Sequence, residues 1–370
     1  MKAIAIIPGT KEIKLTDRPE PKISAPDEIK LKVLRVGICG TDREEAAGGR
    51  ADAPAGQKEL VIGHEMFGQV VEAGGGVKSA SIGDFGCFTV RRGCNQCPFC
   101  LHGRADLCST GNYTERGIKG RDGYETELVV DQEKYFVRVA KEIVPIGVLM
   151  EPTSVAEKAI DEATLIQAAR LGVAGDANDW LKGKLALVAG IGPIGLLGAI
   201  ILILRGARVL GLDVVDEGTL RPRLLEQFGG KYVDGRQTKP AALESTYGQI
   251  DLIFEATGVA HVEFDLLGAL GLNGAYVLTG IPGGDRPLQI DGALLMRQLV
   301  LRNQVMVGSV NAALRHFALG AEDLAAAQKR WGKAVEQLIT NVVPYANFDA
   351  LLRQHPADEI KAVIEWAKPN

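Results

Sequence analysis

Polar and apolar residues alternate along KLKVLRVGI, residues 30–38, with the period of two that a half-buried β-strand requires. A shorter apolar run at 2–7 reads the same way. From residue 1 to about 150, β-like runs of this kind alternate with glycine-rich stretches, which predicts a β-dominated domain with long functional loops. Residues 156–171, AEKAIDEATLIQAARL, instead place apolar positions at helical spacing with few breakers, and predict a helical bridge. The texture changes after Gly183. LALVAG, ARVLGLD, QIDLIFEATG and GAYVLTG are short apolar runs ending in glycine-containing or acidic turns, and helical stretches separate them. Continuous apolar strands with intervening helices predict a parallel sheet covered on both faces. Beyond about 310, AALRHFAL and AEDLAAAQKRWGKAVEQLI read as helix, before a short tail expected to return to the first domain. The expected organisation is α/β, with one domain (1–180 and 311–370) split around an inserted second (181–310).

Residues 185–204, LALVAGIGPIGLLGAIILIL, form an uncharged stretch long enough to cross a bilayer. Gly190, Gly192, Pro193, Gly195 and Gly198 interrupt it, so a buried strand, a tight turn and a buried helix describe it better. No signal peptide fits the first ten residues, and a cytoplasmic location is expected. The 42 Lys and Arg are set against 46 Asp and Glu, a net charge of −4 that supplies no basic field for nucleic acid. Six cysteines in 370 residues are too few for a disulfide scaffold, yet four of them fall within fifteen residues.

GIGPIG, residues 190–195, follows one of the apolar strands and opens the helical stretch. A GxGxxG run alone is a weak signal. This one has Asp213 eighteen residues beyond Gly195, at the end of the next strand, as a dinucleotide site requires. Gly190 permits the turn, Gly192 allows close approach of a pyrophosphate, and Gly195 lets the helix pack on the strand. Pro193 and Ile194 complete the turn at the helix N-terminus, which faces the phosphates. Asp213 would bind both adenosine ribose hydroxyls and repel a 2′-phosphate, which favours NAD. Arg221 and Arg223 nearby keep NADP possible.

Cys94, Cys97, Cys100 and Cys108 can close a tetrahedral thiolate shell around a structural zinc. Their last gap of seven, followed by Ser109, departs from the ferredoxin spacing. Cys39, His64, Glu65 and Glu151 offer a thiolate, an imidazole and carboxylates, a set that can hold a catalytic zinc with a position left open. From spacing alone, Cys39 as an apolar core residue and His64 as a satisfied core histidine are equally good readings. Cys87 reads as buried packing.

GHEMFGQVVEAG, Gly63 to Gly74, matches the GHExxGxxxxxG signature, and the cysteine lobe and GIGPIG follow it in order. On these motifs the chain resembles the zinc-containing medium-chain dehydrogenase superfamily over its whole length. CGTDRE, RRGCNQC, GNYTERGIKGRDGY, EPTSVAEKA and VGSVN are most similar to the glucose dehydrogenases within it. The resemblance implies a GroES-like β-rich catalytic domain and a Rossmann domain. It implies two zinc ions per chain, NAD or NADP, a homo-oligomer (dimer or tetramer) and a small sugar substrate, with neither nucleic acid nor membrane as partner. It places catalytic zinc on Cys39 and His64, with Glu65 and Glu151 as ligands or water-mediated partners. Thr41 would lie beside the reacting hydroxyl. Glu115 and Asn311 would touch the sugar, Asn311 also the cofactor, and Ala256, Thr257 and Gly258 would line the cofactor site. Glu44 stands where alcohol dehydrogenases carry a relay histidine, so proton release passes to a carboxylate or water. Val90, Val155 and Leu301 occupy positions that are polar in some glucose dehydrogenases. The implied reaction is zinc-dependent oxidation of the C1 hydroxyl of an aldose to the lactone, by hydride transfer to NAD(P). A polyol or secondary alcohol dehydrogenase, and more distantly a non-enzymatic nucleotide-binding redox sensor, are the alternatives.

Overall fold

The computed structural model describes residues 1–283 and 287–369. The chain forms two compact units, 1–154 with 311–370, and 155–310. The first break thus falls at 154/155 and not at the expected 180/181. The helix Met150–Leu171, which starts six residues earlier than its periodicity suggested, spans that break, and residues 155–171 belong to the second unit.

In the first unit the alternating segment becomes the long strand Glu28–Ile38. Glu65–Ala73 pairs antiparallel with it along one edge. Its other edge is shared: Leu128–Gln132 pairs with residues 28–32, and Lys361–Glu365 pairs with residues 35–38. The tail of the chain therefore returns as a strand beside Ile38. Phe85–Phe88 and Phe136–Val139 extend the sheet beyond Glu65–Ala73. Val33, Val36, Phe67 and Phe88 are among the side chains buried on it. A separate small sheet joins Arg91–Arg92, Thr114–Arg116 and Gly120–Arg121. Of the two helical runs expected after 310, the first and most of the second form one helix, Leu314–Trp331; the second breaks at Gly332 and resumes as the short helix Lys333–Glu336. Gly320 lies within the longer helix because that helix passes close to Thr153, whose Cγ2 would stand 3.2 Å from an added Cβ.

The second unit is a six-stranded parallel sheet. Its strand order is Lys231–Asp234, Arg208–Asp213, Leu185–Ala189, Ile250–Glu255, Leu270–Leu278 and Val305–Gly308. In chain order this is 3-2-1-4-5-6, the doubly wound dinucleotide-binding arrangement. The strand Leu185–Ala189 is buried throughout, as is most of the helix Pro193–Leu204 that follows it. The uncharged stretch at 185–204 is thus strand, turn and helix. No described helix is long and apolar enough to cross a membrane.

Candidate active site

Cys39 ends the strand Glu28–Ile38 and caps the helix Gly40–Ala46. Its backbone N–H donates to Asp42 Oδ2 at 2.8 Å, which turns that carboxylate inward until it is fully buried. Asp42 Oδ1 lies 3.5 Å from His64 Nδ1, an ion-pair distance longer than a well-formed hydrogen bond. Gly63, at φ +89°, precedes His64, and a Cβ there would come within 2.6 Å of Glu125 Cγ. Only glycine allows the chain to enter the strand so close to that side chain. Glu65 sits in register with Gly37 across the sheet. A Cβ on Gly37 would fall 2.2 Å from Glu65 Oε2, so the missing side chain makes room for the carboxylate.

The sulfur of Cys39, one ring nitrogen of His64 and one oxygen of Glu65 lie within 4.8 Å of one another. A thiolate, an imidazole and a carboxylate at this separation fit a single zinc ion. Glu151 does not join that group. It lies in the first turn of the helix Met150–Leu171, not ahead of it as expected, and burial raises its pKa to about 7. Burial also acts to lower the His64 pKa, but Asp42 and Cys39 outweigh it and hold the imidazole well above its ordinary value. A metal entering here must therefore displace a proton, which links occupancy to pH.

Several participants carry no sequence signal of their own. Lys361 Nζ donates to both oxygens of Glu65 at 2.7 Å and to the Ile38 carbonyl at 3.3 Å, with both side chains buried. Its only trace in the sequence is a cation inside an apolar run, IKAVIEW. Asp42 belongs to the CGTD segment and was legible only as its last letter. Glu125 is fully buried; Oε2 accepts the Trp366 indole N–H at 2.7 Å, and burial pushes its pKa well up. Burial, reinforced by Asp42, raises Glu45 to about 9.

Thr41 is half-buried in the helix Gly40–Ala46, and Glu44 is exposed on it. Glu115 and Asn311 meet directly, Asn311 Nδ2 donating to Glu115 Oε1 at 2.7 Å. Arg91 also donates to that oxygen, at 3.0 and 2.9 Å, and lies 3.9 Å above the Tyr113 ring. Asn311 has a left-handed backbone, φ +63°.

The four clustered cysteines are free thiols whose sulfurs lie within 4.8 Å of one another. A Cβ on Gly93 would be 2.5 Å from the Cys100 sulfur, so glycine is needed where the loop closes. The Thr110 hydroxyl lowers Cys108 to about 6, and N–H groups of Cys100 and Ser109 lower Cys97 to about 7. Burial raises Cys100 to about 12. These hydrogen bonds thus favour deprotonation at Cys97 and Cys108. His102 is exposed, and buried Cys87, its pKa raised by burial, is packing.

In the second unit the glycine turn lies where the strand order reverses, between Leu185–Ala189 and Ile250–Glu255. A Cβ on Gly195 would strike the Gly190 carbonyl at 1.8 Å, and one on Gly190 would meet Ala256 O at 2.9 Å. Nothing stands within 4 Å of a Cβ built on Gly192. Packing within the chain explains Gly190 and Gly195, whereas Gly192 leaves the helix N-terminus bare, as a bound pyrophosphate requires. Asp213 is more committed than expected, since Oδ2 accepts the Ile191 N–H at 2.9 Å and Oδ1 its neighbour Val214 N–H at 2.7 Å. Arg221 and Arg223 lie in the helix Leu220–Phe228. An arginine that sequence reasoning missed, Arg236, is held by Asp234 and by Asp216 at 2.8 Å. Glu255 was also missed. Fully buried, it accepts the N–H groups of Thr257, Gly258 and Gly280 and so shapes the Ala256–Gly258 turn.

Residues 144–366 match the family model described as "Glucose dehydrogenase C-terminus", and residues 25–141 match "Alcohol dehydrogenase GroES-like domain". The chain is 39% identical to glucose 1-dehydrogenase 2 of Vulcanisaeta moutnovskia over 367 residues, covering 99% of each chain. It is 37% identical to glucose 1-dehydrogenase of Thermoproteus tenax, again over 99% of each. Among solved structures it is similar to Haloferax mediterranei glucose dehydrogenase in complex with NADP, Zn and gluconolactone, with TM-score 0.87, 32% identity and full coverage of both chains. The chain belongs to the glucose dehydrogenase branch of the zinc-containing medium-chain dehydrogenases, and it is a nicotinamide-dependent oxidoreductase.

Proposed function

We propose that the protein oxidises the C1 hydroxyl of an aldose, glucose foremost, to the corresponding lactone, with NAD favoured as hydride acceptor. The observation that carries this reading is the group of half-buried Cys39 with buried His64 and Glu65, supported by Asp42 and Lys361. Zinc held there would supply Lewis-acid polarisation of the sugar hydroxyl. Asp42 fixes the His64 ring, and Lys361 balances Glu65 so that the site does not accumulate negative charge. Glu151, with a pKa near 7, receives the hydroxyl proton close to neutral pH. Thr41, in the helix that begins at Cys39, orients that hydroxyl.

Glu115 and Asn311 hold the remaining sugar hydroxyls. Glu115 Oε1 is committed to Arg91 and Asn311, which leaves Oε2 to accept from substrate. The relative from Haloferax mediterranei in complex with gluconolactone supports a sugar as the class of substrate. Cys94, Cys97, Cys100 and Cys108 hold a second zinc with a structural role, since four thiolates leave no open ligand position. In the second unit Gly190–Gly195 and Ala256–Gly258 carry the dinucleotide. The lone pairs that Asp213 retains bind the adenosine ribose, while the acids around Arg236 keep that arginine from serving a 2′-phosphate.

The test is a panel of aldoses and polyols with NAD and with NADP, identifying the product and repeating the cofactor comparison in Asp213→Ala. Glucose should yield gluconolactone faster than any polyol. The NAD:NADP efficiency ratio should exceed one and fall about ten- to hundredfold in the variant. A polyol as the best substrate would replace the aldose reading, and a ratio indifferent to Asp213 would remove the NAD preference.

A further inference from the structure

Three arginines of the first unit converge on one carboxylate, and none belongs to the Cys39–His64–Glu65 group. Arg92 donates to Asp131 Oδ2 from Nε at 3.2 Å and Nη2 at 2.8 Å. Arg116 donates to the same oxygen, at 3.1 Å from Nε. Their other N–H groups are taken up by carbonyls, those of Thr89 and Arg91 for Arg92 and those of Asp122 and Val130 for Arg116. Arg121 is different. Among the described residues its one ion-pair partner is Asp131 Oδ1, 3.8 Å away, an oxygen that already accepts the Gln132 N–H. Its Nε is buried without a hydrogen-bond partner among the described residues, while the side chain as a whole is 41% exposed.

A cavity of about 340 Å³ opens at this point, between the cysteine lobe and the strand Leu128–Gln132. Lys134 lines it without an ion-pair partner among the described residues, and Asn95, Asn112 and Thr114 offer neutral polar groups. The acids facing it are Asp131, shared as above, and Glu28, whose Oε2 is bound by Ser24 and Ala25. Arg92, Arg121 and Lys134 line the cavity and Arg116 stands behind them on Asp131, so the cluster sets four cations against two engaged carboxylates. Burial and the neighbouring Arg116 and Arg92 push the Arg121 pKa down, a sign that the positive charge is under-compensated. The surplus of two charges matches a dianion, and a guanidinium fork matches two oxygens of a phosphate.

We propose that this cavity binds a phosphate group, free or as the monoester of a small metabolite, with Arg121 closing on it and Lys134 as the second cation. The volume lies at the lower end of small-molecule sites, roughly 300–1,000 Å³, enough for a phosphate carrying a short polyol. This site is independent of the redox reading.

Isothermal titration of the zinc-loaded full-length protein with inorganic phosphate, and separately with glycerol 3-phosphate, tests it at ionic strength fixed with potassium chloride. Saturable binding near one per chain is expected, weakened about tenfold or more in Arg121→Gln and less in Lys134→Gln. Equal affinity for both probes would identify the free anion as sufficient, and tighter binding of the ester would identify a metabolite. Arg121→Gln should oxidise its sugar within about twofold of wild type, because it lies outside the catalytic group. Absence of saturable binding, or an affinity unchanged in Arg121→Gln, would overturn the proposal; the latter would place the phosphate at the glycine turn of the second unit instead.

Discussion

The two clusters of metal-ligating side chains are built in opposite ways. Cys94, Cys97, Cys100 and Cys108 come from a single loop, remain partly exposed except for Cys97, and need little beyond Gly93 to bring their sulfurs together. Cys39, His64 and Glu65 come from a strand end, a turn and a second strand, and their supporting charges Asp42 and Lys361 are buried. The loop cluster can close locally around a metal. The dispersed cluster depends on the whole sheet and on a counter-charge delivered by a third strand. A site that must stay open to substrate cannot fill every position with its own thiolates, so its stability comes from the surrounding fold.

Breaking one member of each cluster should separate the two most strongly. Cys39→Ser should lower kcat by about a thousandfold or more, equivalent to about 4 kcal/mol, with the melting temperature close to wild type. Cys97→Ser should lower the melting temperature by several degrees and cost one of two zincs by elemental analysis. Identical melting and activity profiles in the two variants would abolish the distinction.

Lys361→Met sharpens the contrast, because it touches only the dispersed cluster. Glu65 is left buried without its counter-charge, at a cost of about 3–5 kcal/mol in urea unfolding of the metal-free protein. Added zinc should recover part of that loss by supplying positive charge. Unfolding at the wild-type urea concentration would mean that the pair contributes nothing.

The smallest effect concerns the proposed sugar side of the site. Glu115→Gln should reduce kcat/KM for glucose by about tenfold, as loss of a charged hydrogen bond predicts, with the cofactor KM unchanged. An unaltered preference among aldoses in this variant would remove Glu115 from substrate binding.

Legibility in the sequence follows the same division. The cysteine lobe and the glycine turn are short-range constructions, legible from the cysteine spacing and from the GxGxxG run set between an apolar strand and a helix with Asp213 beyond it. The long alternating strand and the parallel strands were equally visible, because burial on one face or on both sets their pattern. Lys361 was not visible, since its role depends on the register of Lys361–Glu365 against Ile38, a pairing between residues more than 300 apart. Asp213 was located but its commitments were not, because the Ile191 N–H reaches it only once the turn has folded. The start of the bridging helix was missed because MEPTS, with a proline in its first turn, reads as a loop, whereas proline is well tolerated there.

The Glu65–Lys361 pair spans 296 positions of sequence, and the whole second unit lies between its two halves. At translation rates of about 5–20 residues per second, roughly 15–60 s separate the appearance of the carboxylate from that of its ammonium partner. Throughout that interval the strand Glu65–Ala73 is available but its first residue has no internal counter-charge, so it cannot be sealed from water. The dinucleotide-binding sheet, complete in itself, has time to form first. Docking of the returning strand is then the event that buries Glu65, and a newly made chain acquires its finished candidate metal pocket only after Lys361 has emerged.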